Sequence, residues 1–253
     1  MDTITQKQRT QLDKFDTDVN KEISGNTKMT KLHSGTFAYS LERKELHKVI
    51  IRKILNAEAI AGSTPAVSEQ PTFVIIGGRC CSGKSQLSRG NQAGTFKPVI
   101  DKDKFLILDH DAIKELIPEY LGWNAAIIHE ESSAIFELIT RFARRKGLNI
   151  VHDATLKSTG TALRRMNGFL NSGYRMEGYY VYLPRQEAAF RAVLRALNKS
   201  VDKPRFVPVD VVLGNTTNEE TWEAIKHLFF RWRAYDNQGV KGSIPKLLGR
   251  SVN

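Results

Sequence analysis

Cysteine and long hydrophobic runs are scarce in this sequence of 253 residues. Its two cysteines, Cys80 and Cys81, are adjacent. A disulfide between neighbours is strained, which excludes a disulfide-stapled secreted scaffold and favours a reducing, cytoplasmic setting. No segment approaches the roughly 18 consecutive apolar residues of a membrane span, and the opening MDTITQKQRTQLDKFD is too polar and too acidic for a secretory signal. We therefore expect a soluble protein that has no membrane partner.

Acidic residues are in deficit from residue 71 onward. That part carries 27 Lys and Arg against 18 Asp and Glu, whereas residues 1–70 carry 11 against 9, and the whole chain has a formal net charge of +11. Excess positive charge attracts anions, so the partner is expected to carry phosphate groups. The charge does not separate a mononucleotide such as ATP from a nucleic acid.

Apolar periodicity divides the chain into four parts. Residues 1–39 are polar and have few large apolar groups to bury, so this segment is predicted to be flexible. Residues 40–70 are predicted as an amphipathic helix, LERKELHKVIIRKIL, capped by Ser40, and a linker, both packing on the core. A main domain is expected over 71–235, ending in a helix TWEAIKHLFFRWRAYD, and a basic tail over 236–253.

Strand-like and helix-like segments alternate in the main domain. Four short apolar runs, TFVIIGG, KFLILDHD, LNIVHDAT and RMEGYYVYLP, are each followed by residues with helical periodicity. One such helix is expected from Ile127 to Lys146, with Gly147 as its C-cap. The alternation predicts an α/β fold in which a mostly parallel sheet is flanked by helices.

The first apolar run leads into a phosphate-binding motif. Gly78, Gly83, Lys84 and Ser85 satisfy G-x-x-x-x-G-K-[ST] between a strand and a helix-forming segment. Backbone N–H groups of such a loop point at an anion, its lysine neutralises the β- and γ-phosphates, and its serine hydroxyl binds Mg²⁺. We therefore predict a P-loop NTPase or kinase fold with an N-terminal helical extension, and ATP and Mg²⁺ as cofactors. The predicted cofactor-binding residues are Gly78, Arg79, Cys80, Cys81, Ser82, Gly83, Lys84, Ser85 and Gln86, with Ser85 as the metal ligand.

Carboxylates follow the second and third strands, at the edge of the sheet where ligands bind. Asp109 and Asp111 follow the second strand, and Asp153 and Thr155 follow the third. A kinase needs a carboxylate that takes the proton of the acceptor hydroxyl near the γ-phosphate. Asp109 and Asp111 both stand where that group is needed, and one of them can be only a helix cap.

Basic residues after the fourth strand predict a movable lid over the phosphates. Arg191 and Arg195 lie on a helix, and Lys203 and Arg205 lie in the loop after it, within an Arg-rich segment near 191–206. Positive charge brought by such a segment stabilises the transferring phosphoryl group. The competing interpretation is a solvated basic face of a helix.

Together these motifs resemble the zeta toxin family of P-loop kinases, over roughly Ser40 to Phe229. The helix LERKELHKVIIRKIL, the loop GGRCCSGKS, LDHDAIKELIPEY, an acid upstream of GLNIVHDAT and an RFVP turn occur in the order and approximate spacing of that family. The resemblance implies that Asp111 is the general base and that Arg195 and Arg205 bind the phosphates. Arg191 is a less well aligned alternative to Arg195 in that role. The implied catalytic residues are Asp111, Lys84, Arg195 and Arg205, and the implied substrate-binding residues are Asp109, Glu137, Asp153, Thr155 and Lys157.

The resemblance also implies a substrate class and a partner. Family members phosphorylate UDP-N-acetylglucosamine, and related bacterial effectors phosphorylate NAD, so the expected acceptor is a sugar hydroxyl of a small anionic nucleotide. An inhibitory antitoxin protein is the implied partner, and an effector would be delivered into a host cell. Three positions depart from the family pattern, because Cys81 stands where Gly is usual, Asp153 where Glu is common and Lys157 where Arg is frequent. A carboxylate shortened by one methylene changes the acceptor geometry, so the acceptor itself is open.

Two other functions fit the same residues. A polynucleotide 5′-hydroxyl kinase would use a similar loop, carboxylate and arginines and would bind single strands in a salt-sensitive manner. Only FFRWRAYD interleaves aromatic with basic residues, and helix packing explains it equally, so nucleic acid is the less favoured partner. A non-catalytic ATP-binding regulator or partner-binding module would keep its effect when Asp111 is replaced by Asn.

Overall fold

The computed structural model describes residues 39–90, 94–198, 202–240 and 242–251, along with a few positions between 6 and 17. Most of the predicted polar segment 1–39 lies outside the described residues. The helices are α1 (Leu41–Ile54), α2 (Ala57–Ser63), α3 (Gln86–Arg89), α4 (His110–Glu115), α5 (His129–Lys146), α6 (Thr159–Leu170), α7 (Arg185–Ala196), α8 (Val209–Leu213) and α9 (Asn218–Ile225), with short 3₁₀ turns at Lys102–Lys104 and Lys226–Leu228. The strands are β1 (Thr72–Gly77), β2 (Leu106–Leu108), β3 (Ile150–Ala154), β4 (Arg175–Tyr182), β5 (Arg231–Asp236) and β6 (Lys246–Arg250).

The six strands form one sheet in the order β2-β3-β1-β4-β5-β6. Every neighbouring pair is parallel except β5 and β6, which confirms the predicted mostly parallel sheet flanked by helices. Ile76 of β1 lies opposite Asp153 of β3, and Gly77 lies opposite Ala154. The carboxyl ends of the two strands therefore meet, and the loop after β1 begins beside the polar residues that end β3.

The central strand β1 is buried on both faces, which explains its continuous apolar sequence. Phe73 and Ile75 pack in the larger core cluster, together with residues of α5 and α6. Val74 and Ile76 point to the opposite face and pack in a second cluster with Leu87 of α3. The phosphate-binding loop thus continues a strand that is held from both sides.

Two predicted helix caps are present. The Ser40 hydroxyl accepts a hydrogen bond from the backbone N–H of Arg43 at 3.1 Å and begins α1. Helix α5 ends at Lys146, and Gly147 adopts the left-handed conformation with φ 67°, which favours glycine. These caps fix the start of α1 and the end of α5.

The predicted helix over 221–236 is wrong in its second half. Helix α9 ends at Ile225, and Arg231–Asp236 forms β5, which pairs with β4. Exposed arginines alternate with the partly buried Trp232 and Ala234 along β5, a period of two that indicates a strand. Pairing with an available strand edge outweighs the local helical propensity.

Two further segments contain more regular structure than the sequence predicted. The linker region includes α2, which begins after Asn56, whose side chain accepts a hydrogen bond from the N–H of Ala59 at 2.8 Å. Part of the predicted basic tail forms β6, whose Lys246 lies opposite Asp236 of β5. Strand β6 therefore covers the edge that β5 would otherwise expose.

A buried carboxylate fastens α1 to the rest of the domain. Glu131 on α5 is 2 % exposed and accepts hydrogen bonds from Arg43 at 2.6 Å and 2.7 Å and from His47 at 2.7 Å. Arg43 also pairs with Glu119 at 2.6 Å. Burial alone would raise the pKa of Glu131, but hydrogen bonds from His47 and Arg43 outweigh it and lower the pKa to about 2. The N-terminal helix is thus tied to α5 by charge as well as by apolar packing.

Replacing Glu131 by Ala is expected to lower the free energy of unfolding by about 3 kcal/mol, because it leaves the partly buried Arg43 and the buried His47 without their carboxylate. Urea denaturation at pH 7 measures this, with the exposed Glu42→Gln as the control variant expected to change little. The folded-state pKa lies below the unfolded value, so the stabilisation is present above about pH 4.3 and is lost as the pH falls through about 2. Equal stability of Glu131→Ala and wild type at pH 7 would contradict this role.

Candidate active site

A cleft of about 1190 Å³ opens at the carboxyl edge of the sheet. Its walls come from the loop after β1, the ends of β2 and β3, helix α7 and the loop 202–205. The parallel strands all end on the same side of the sheet, so the segments that follow them meet there. The cleft is large enough for a nucleotide and a second small substrate.

The loop after β1 has the geometry of a phosphate-binding loop. Gly78 and Gly83 have φ values of 143° and 92°, and a Cβ at Gly83 would lie 2.1 Å from the amide nitrogen of Asn237, so a side chain does not fit. The Nζ atom of Lys84 donates to the carbonyl oxygens of Gly78 and Arg79, each at 2.8 Å. The ammonium group is therefore held inside the loop, beside the position an anion would take.

Asn237, directly after β5, supports the loop from behind. Its side chain donates to the carbonyl of Ser82 at 2.7 Å, and its own carbonyl accepts from Arg191 at 2.8 Å. Arg191 is buried and also donates to Glu187 at 2.6 Å, so it joins α7 to the segment after β5. Arg191 thus has a positioning role in this structure, although its side chain also borders the cleft.

Arg79 lies within the motif but its guanidinium points away from the cleft. It is 4 % exposed, pairs with Glu219 of α9 and donates to the carbonyl of Leu183 at 3.0 Å. Gly78 and Ser82 likewise contribute backbone to the loop without lining the cleft. Of the predicted loop residues, those that line the cleft are Cys80, Cys81, Gly83, Lys84, Ser85 and Gln86.

Asp109 and Asp111 have different surroundings. Asp109 caps α4, its side chain accepting a hydrogen bond from the N–H of Asp111 at 2.9 Å. Asp111 projects into the cleft, where one carboxylate oxygen pairs with Arg205 and the other lies 3.3 Å from the Nζ of Lys114. Burial lowers the pKa of Lys114 to about 8. Asp109 therefore caps the helix and also borders the cleft, whereas Asp111, among the described residues, makes no cap contact and presents its carboxylate to Arg205 and Lys114.

Asp153 at the end of β3 faces the loop lysine. Its Oδ1 lies 3.4 Å from the Nζ of Lys84. Burial raises the pKa of Asp153 to about 6, although Lys84 opposes the shift. Thr155 and Lys157 line the same wall of the cleft, and the Lys157 side chain is exposed. Of these predicted substrate-binding residues, Asp153 thus lies next to the phosphate-binding loop, and Thr155 and Lys157 line the cleft after the end of β3.

Glu137 does not line the cleft. It pairs with Arg165 of α6, and Arg165 lines the cleft in its place. The Arg165 guanidinium stacks over the ring of Phe136 at 5.1 Å and lies 3.0 Å from the Nε2 of His152. Glu137 is therefore linked to the cleft through Arg165 and does not border it directly.

Three histidines at the floor of the cleft were not among the predicted site residues. They are His110, His129 and His152, and the first packs against both of the others. Burial lowers the pKa of His110 to about 3 and that of His129 to about 4, and it also lowers the pKa of His152. All three are neutral at pH 7. His110 directly follows Asp109, and His152 directly precedes Asp153. This adjacency to two predicted site residues could have indicated that both histidines lie at the cleft.

Two arginines line the cleft, and each contacts another residue of its lining. Arg195 donates from Nη2 to the Sγ of Cys80 at 3.3 Å, and Arg205 pairs with Asp111. Among the described residues, the buried Nε atoms of both Arg195 and Arg205 have no hydrogen-bond acceptor. Buried donors without acceptors are costly unless a ligand supplies one. Because both arginines also line the cleft and each guanidinium carries several N–H donors, the two groups are suited to bind anionic oxygens there.

A family model described as "Zeta toxin" matches residues 57–240, more than half of the chain, including the phosphate-binding loop, Asp111, Asp153 and the loop 202–205. The chain belongs to the zeta toxin family. It is thus a P-loop kinase, a phosphotransferase that acts on hydroxyl groups, and the predicted family and fold are confirmed. A search among curated proteins gave no match.

Solved structures share the fold at low sequence identity. A chain of the PezAT chromosomal toxin–antitoxin system of the human pathogen Streptococcus pneumoniae superposes with a TM-score of 0.57 at 14 % identity, covering 84 % of this chain and 81 % of the other. A chain of the AvrRxo1-ORF1:AvrRxo1-ORF2 complex with ATP gives a TM-score of 0.62 at 16 % identity, covering 84 % and 68 %. The same complex with sulphate ions gives 0.62 at 15 % identity, with the same coverage. Within the described ranges, no helix of this zeta toxin family member combines the length and apolar character needed to cross a membrane.

Proposed function

We propose that the protein transfers the γ-phosphoryl group of ATP to a sugar hydroxyl of a small nucleotide-containing acceptor, such as a UDP-sugar or an NAD-like dinucleotide. The observation that carries the proposal is the convergence of four groups on one cleft. Lys84 of the phosphate-binding loop, the carboxylate Asp111 and the guanidinium groups of Arg195 and Arg205 all line it. These are the parts that phosphoryl transfer to a hydroxyl needs.

The residues present fit ATP and Mg²⁺. The loop offers backbone N–H groups and Lys84 to the phosphates, and the guanidinium groups of Arg195 and Arg205 border the cleft where phosphate oxygens would lie. The exposed Ser85 hydroxyl borders the cleft and would bind Mg²⁺, which neutralises charge on the phosphates when bound. In nucleotide sites Mg²⁺ takes its other ligands from phosphate oxygens and water, so the protein need not supply a cage of side chains.

Asp111 acts as the general base in this proposal. Its carboxylate takes the proton of the acceptor hydroxyl as that oxygen attacks the phosphoryl group. Arg205 holds one of its oxygens in the structure, and a shift of Arg205 onto the transferring phosphate would leave that oxygen for the hydroxyl. The arginine would then stabilise the charge on the equatorial oxygens while Asp111 receives the proton.

The acceptor is proposed to lie along the wall formed by β3 and α6. Asp153 and Thr155 are placed to orient a sugar hydroxyl, and Lys157 and Arg165 supply positive charge for an anionic acceptor. The neutral histidines of the floor, among them His129, offer hydrogen bonds without adding charge. This combination supports a polar acceptor that carries phosphate.

The test is a transfer assay with [γ-³²P]ATP and Mg²⁺ against UDP-sugars, NAD, nucleosides and a 5′-hydroxyl oligonucleotide. Label on one UDP-sugar or dinucleotide supports the proposal and names the acceptor class. Label on the oligonucleotide alone would replace it with a polynucleotide kinase. ATP bound without transfer to any acceptor or to water would favour a regulatory module.

The pH dependence of activity is expected to follow Asp153. Its carboxyl group has a raised pKa of about 6, so it is mostly ionised at pH 7 and becomes mostly protonated below pH 5. If the carboxylate orients the acceptor hydroxyl, kcat/KM should fall about tenfold for each pH unit below that pKa. The pH profile of Asp153→Asn should lack this limb. An unchanged limb in the variant would assign the titration to another group.

An inhibitory protein partner is also proposed. The similarity to a chain of a toxin–antitoxin system and to a chain of a two-protein complex supports it. Such a partner would suppress phosphoryl transfer when co-purified with this chain.

A further inference from the structure

The phosphate-binding loop contains two thiols in contact. Cys80 and Cys81 are both free, both partly exposed and both line the cleft. Their Sγ atoms are 3.7 Å apart, and the Nη2 of Arg195 donates to the Sγ of Cys80 at 3.3 Å. Cys81 has a φ of 61°, in the left-handed region that residues with a Cβ seldom adopt. The mechanism proposed above uses neither sulfur atom.

We propose that Cys80 and Cys81 form a dithiol modification site, which a peroxide converts to a disulfide between the two neighbours and which thereby switches ATP binding off. The effect on ATP rests on the proposed function, whereas the chemistry of the thiols does not. The reagent that would modify this site is a two-electron thiol oxidant.

The surroundings make the two thiols unequal. A hydrogen bond from Cys81 lowers the pKa of Cys80, and the positive charges of Arg195, Arg205 and Lys84 lower it further. The same hydrogen bond and burial raise the pKa of Cys81. The contact of Arg195 with the Cys80 sulfur at 3.3 Å favours Cys80 as the thiolate that reacts with oxidants, with Cys81 as the neighbouring thiol.

The reaction has two steps. The Cys80 thiolate attacks one oxygen of hydrogen peroxide, the O–O bond breaks, and after proton uptake the products are a sulfenic acid and water. The Cys81 sulfur then attacks the sulfenic sulfur, an S–S bond forms, and the Cys81 proton leaves with the hydroxyl group as a second molecule of water. The two thiols lose two electrons and the peroxide gains them.

The disulfide would alter the loop that holds the phosphates. The sulfur atoms must approach from 3.7 Å to the bonding distance of about 2.05 Å. Neighbouring cysteines cannot reach that distance without a change in the backbone between them, which would displace the loop N–H groups. A strained disulfide of this kind is readily reduced, so the change should be reversible by thiols.

The experiment treats the reduced full chain with a small excess of hydrogen peroxide at pH 7 and measures the peptide mass and the affinity for ATP. We expect a peptide lighter by two hydrogens, and ATP affinity lowered about tenfold or more and restored by dithiothreitol. Cys81→Ser should stop at a sulfenic acid on Cys80, trapped by dimedone. Cys80→Ser should be oxidised about tenfold more slowly, because it lacks the thiolate.

Each result bears on the proposal directly. Absence of the disulfide, or equally fast oxidation of Cys81 in Cys80→Ser, overturns the assigned chemistry. A disulfide that leaves ATP affinity unchanged overturns the switch. If the reduced protein binds no ATP, the proposed function fails, while the mass measurement still tests the dithiol site by itself. Each variant is compared with its own reduced form, so a change in basal ATP affinity caused by the substitution does not affect the comparison.

Discussion

Replacing Asp111 by Asn is expected to lower the rate of phosphoryl transfer by about 10²- to 10⁴-fold, because it removes the general base while keeping the side-chain shape. Asp111 borders the cleft, pairs with Arg205 and lies 3.3 Å from the Nζ of the buried Lys114. An amide cannot accept the proton of the acceptor hydroxyl. The loss should therefore appear in kcat, with ATP affinity changed by only a few-fold.

Steady-state kinetics with the acceptor identified by the transfer assay measures this effect, and a nucleotide-binding titration measures ATP affinity separately. The matched control is Asp103→Asn, which removes an exposed carboxylate eight positions earlier in the sequence, outside the cleft. The control should keep wild-type kinetics. An Asp111→Asn variant as active as Asp103→Asn would remove Asp111 from the mechanism.

Replacing Lys84 by Ala is expected to lower kcat/KM by about 10²- to 10³-fold, as loss of one preorganised group at a developing charge does in other enzymes. The ammonium group is 3.4 Å from Asp153 and is held by two loop carbonyls. The variant should also raise the pKa of Asp153 further, because the positive charge that opposes its protonation is gone. The acidic limb of the pH profile should then move to higher pH.

The fold should survive the Lys84 substitution, since the lysine lies at the cleft and contributes little apolar burial. Circular dichroism and a thermal melt test this, and Lys97→Ala, at an exposed lysine outside the cleft, is the control for lost charge. An unfolded Lys84→Ala variant would mean that its hydrogen bonds to Gly78 and Arg79 are needed for folding. In that case the loss of activity would carry no information about phosphate binding.

The sequence predicted the part of the site that local patterns encode. The motif around Gly83 and Lys84 needs one strand, one turn and one helix, all of which adjoin in the chain. Asp111 and Asp153 could be placed together because parallel strands end on the same edge of a sheet, and their proximity follows from the strand order. The roles of Asp109 and Asp111 could not be separated by pattern, because both stand at the start of one helix.

Long-range contacts account for what the sequence did not predict. Arg79 belongs to the loop motif, but its side chain pairs with Glu219, which lies 140 positions later in the sequence. This pairing holds the Arg79 guanidinium away from the cleft. Glu137 contacts Arg165 on another helix, so its distance from the cleft depends on how α5 and α6 pack. The second half of the predicted helix 221–236 became β5 because an edge of β4 was available for pairing. The first two outcomes are set by tertiary packing alone, whereas for β5 strand pairing acts together with an alternating pattern in Arg231–Asp236 that itself indicates a strand.

The most direct test of the central claim uses an unbiased pool of acceptors. Wild-type protein and Asp111→Asn are each incubated with [γ-³²P]ATP, Mg²⁺ and a small-molecule extract of cells, and the labelled products are separated by chromatography. The account predicts a new labelled nucleotide-containing compound with the wild type that the variant does not form. Equal labelling by the two proteins, or no labelled small molecule with the wild type, would contradict it.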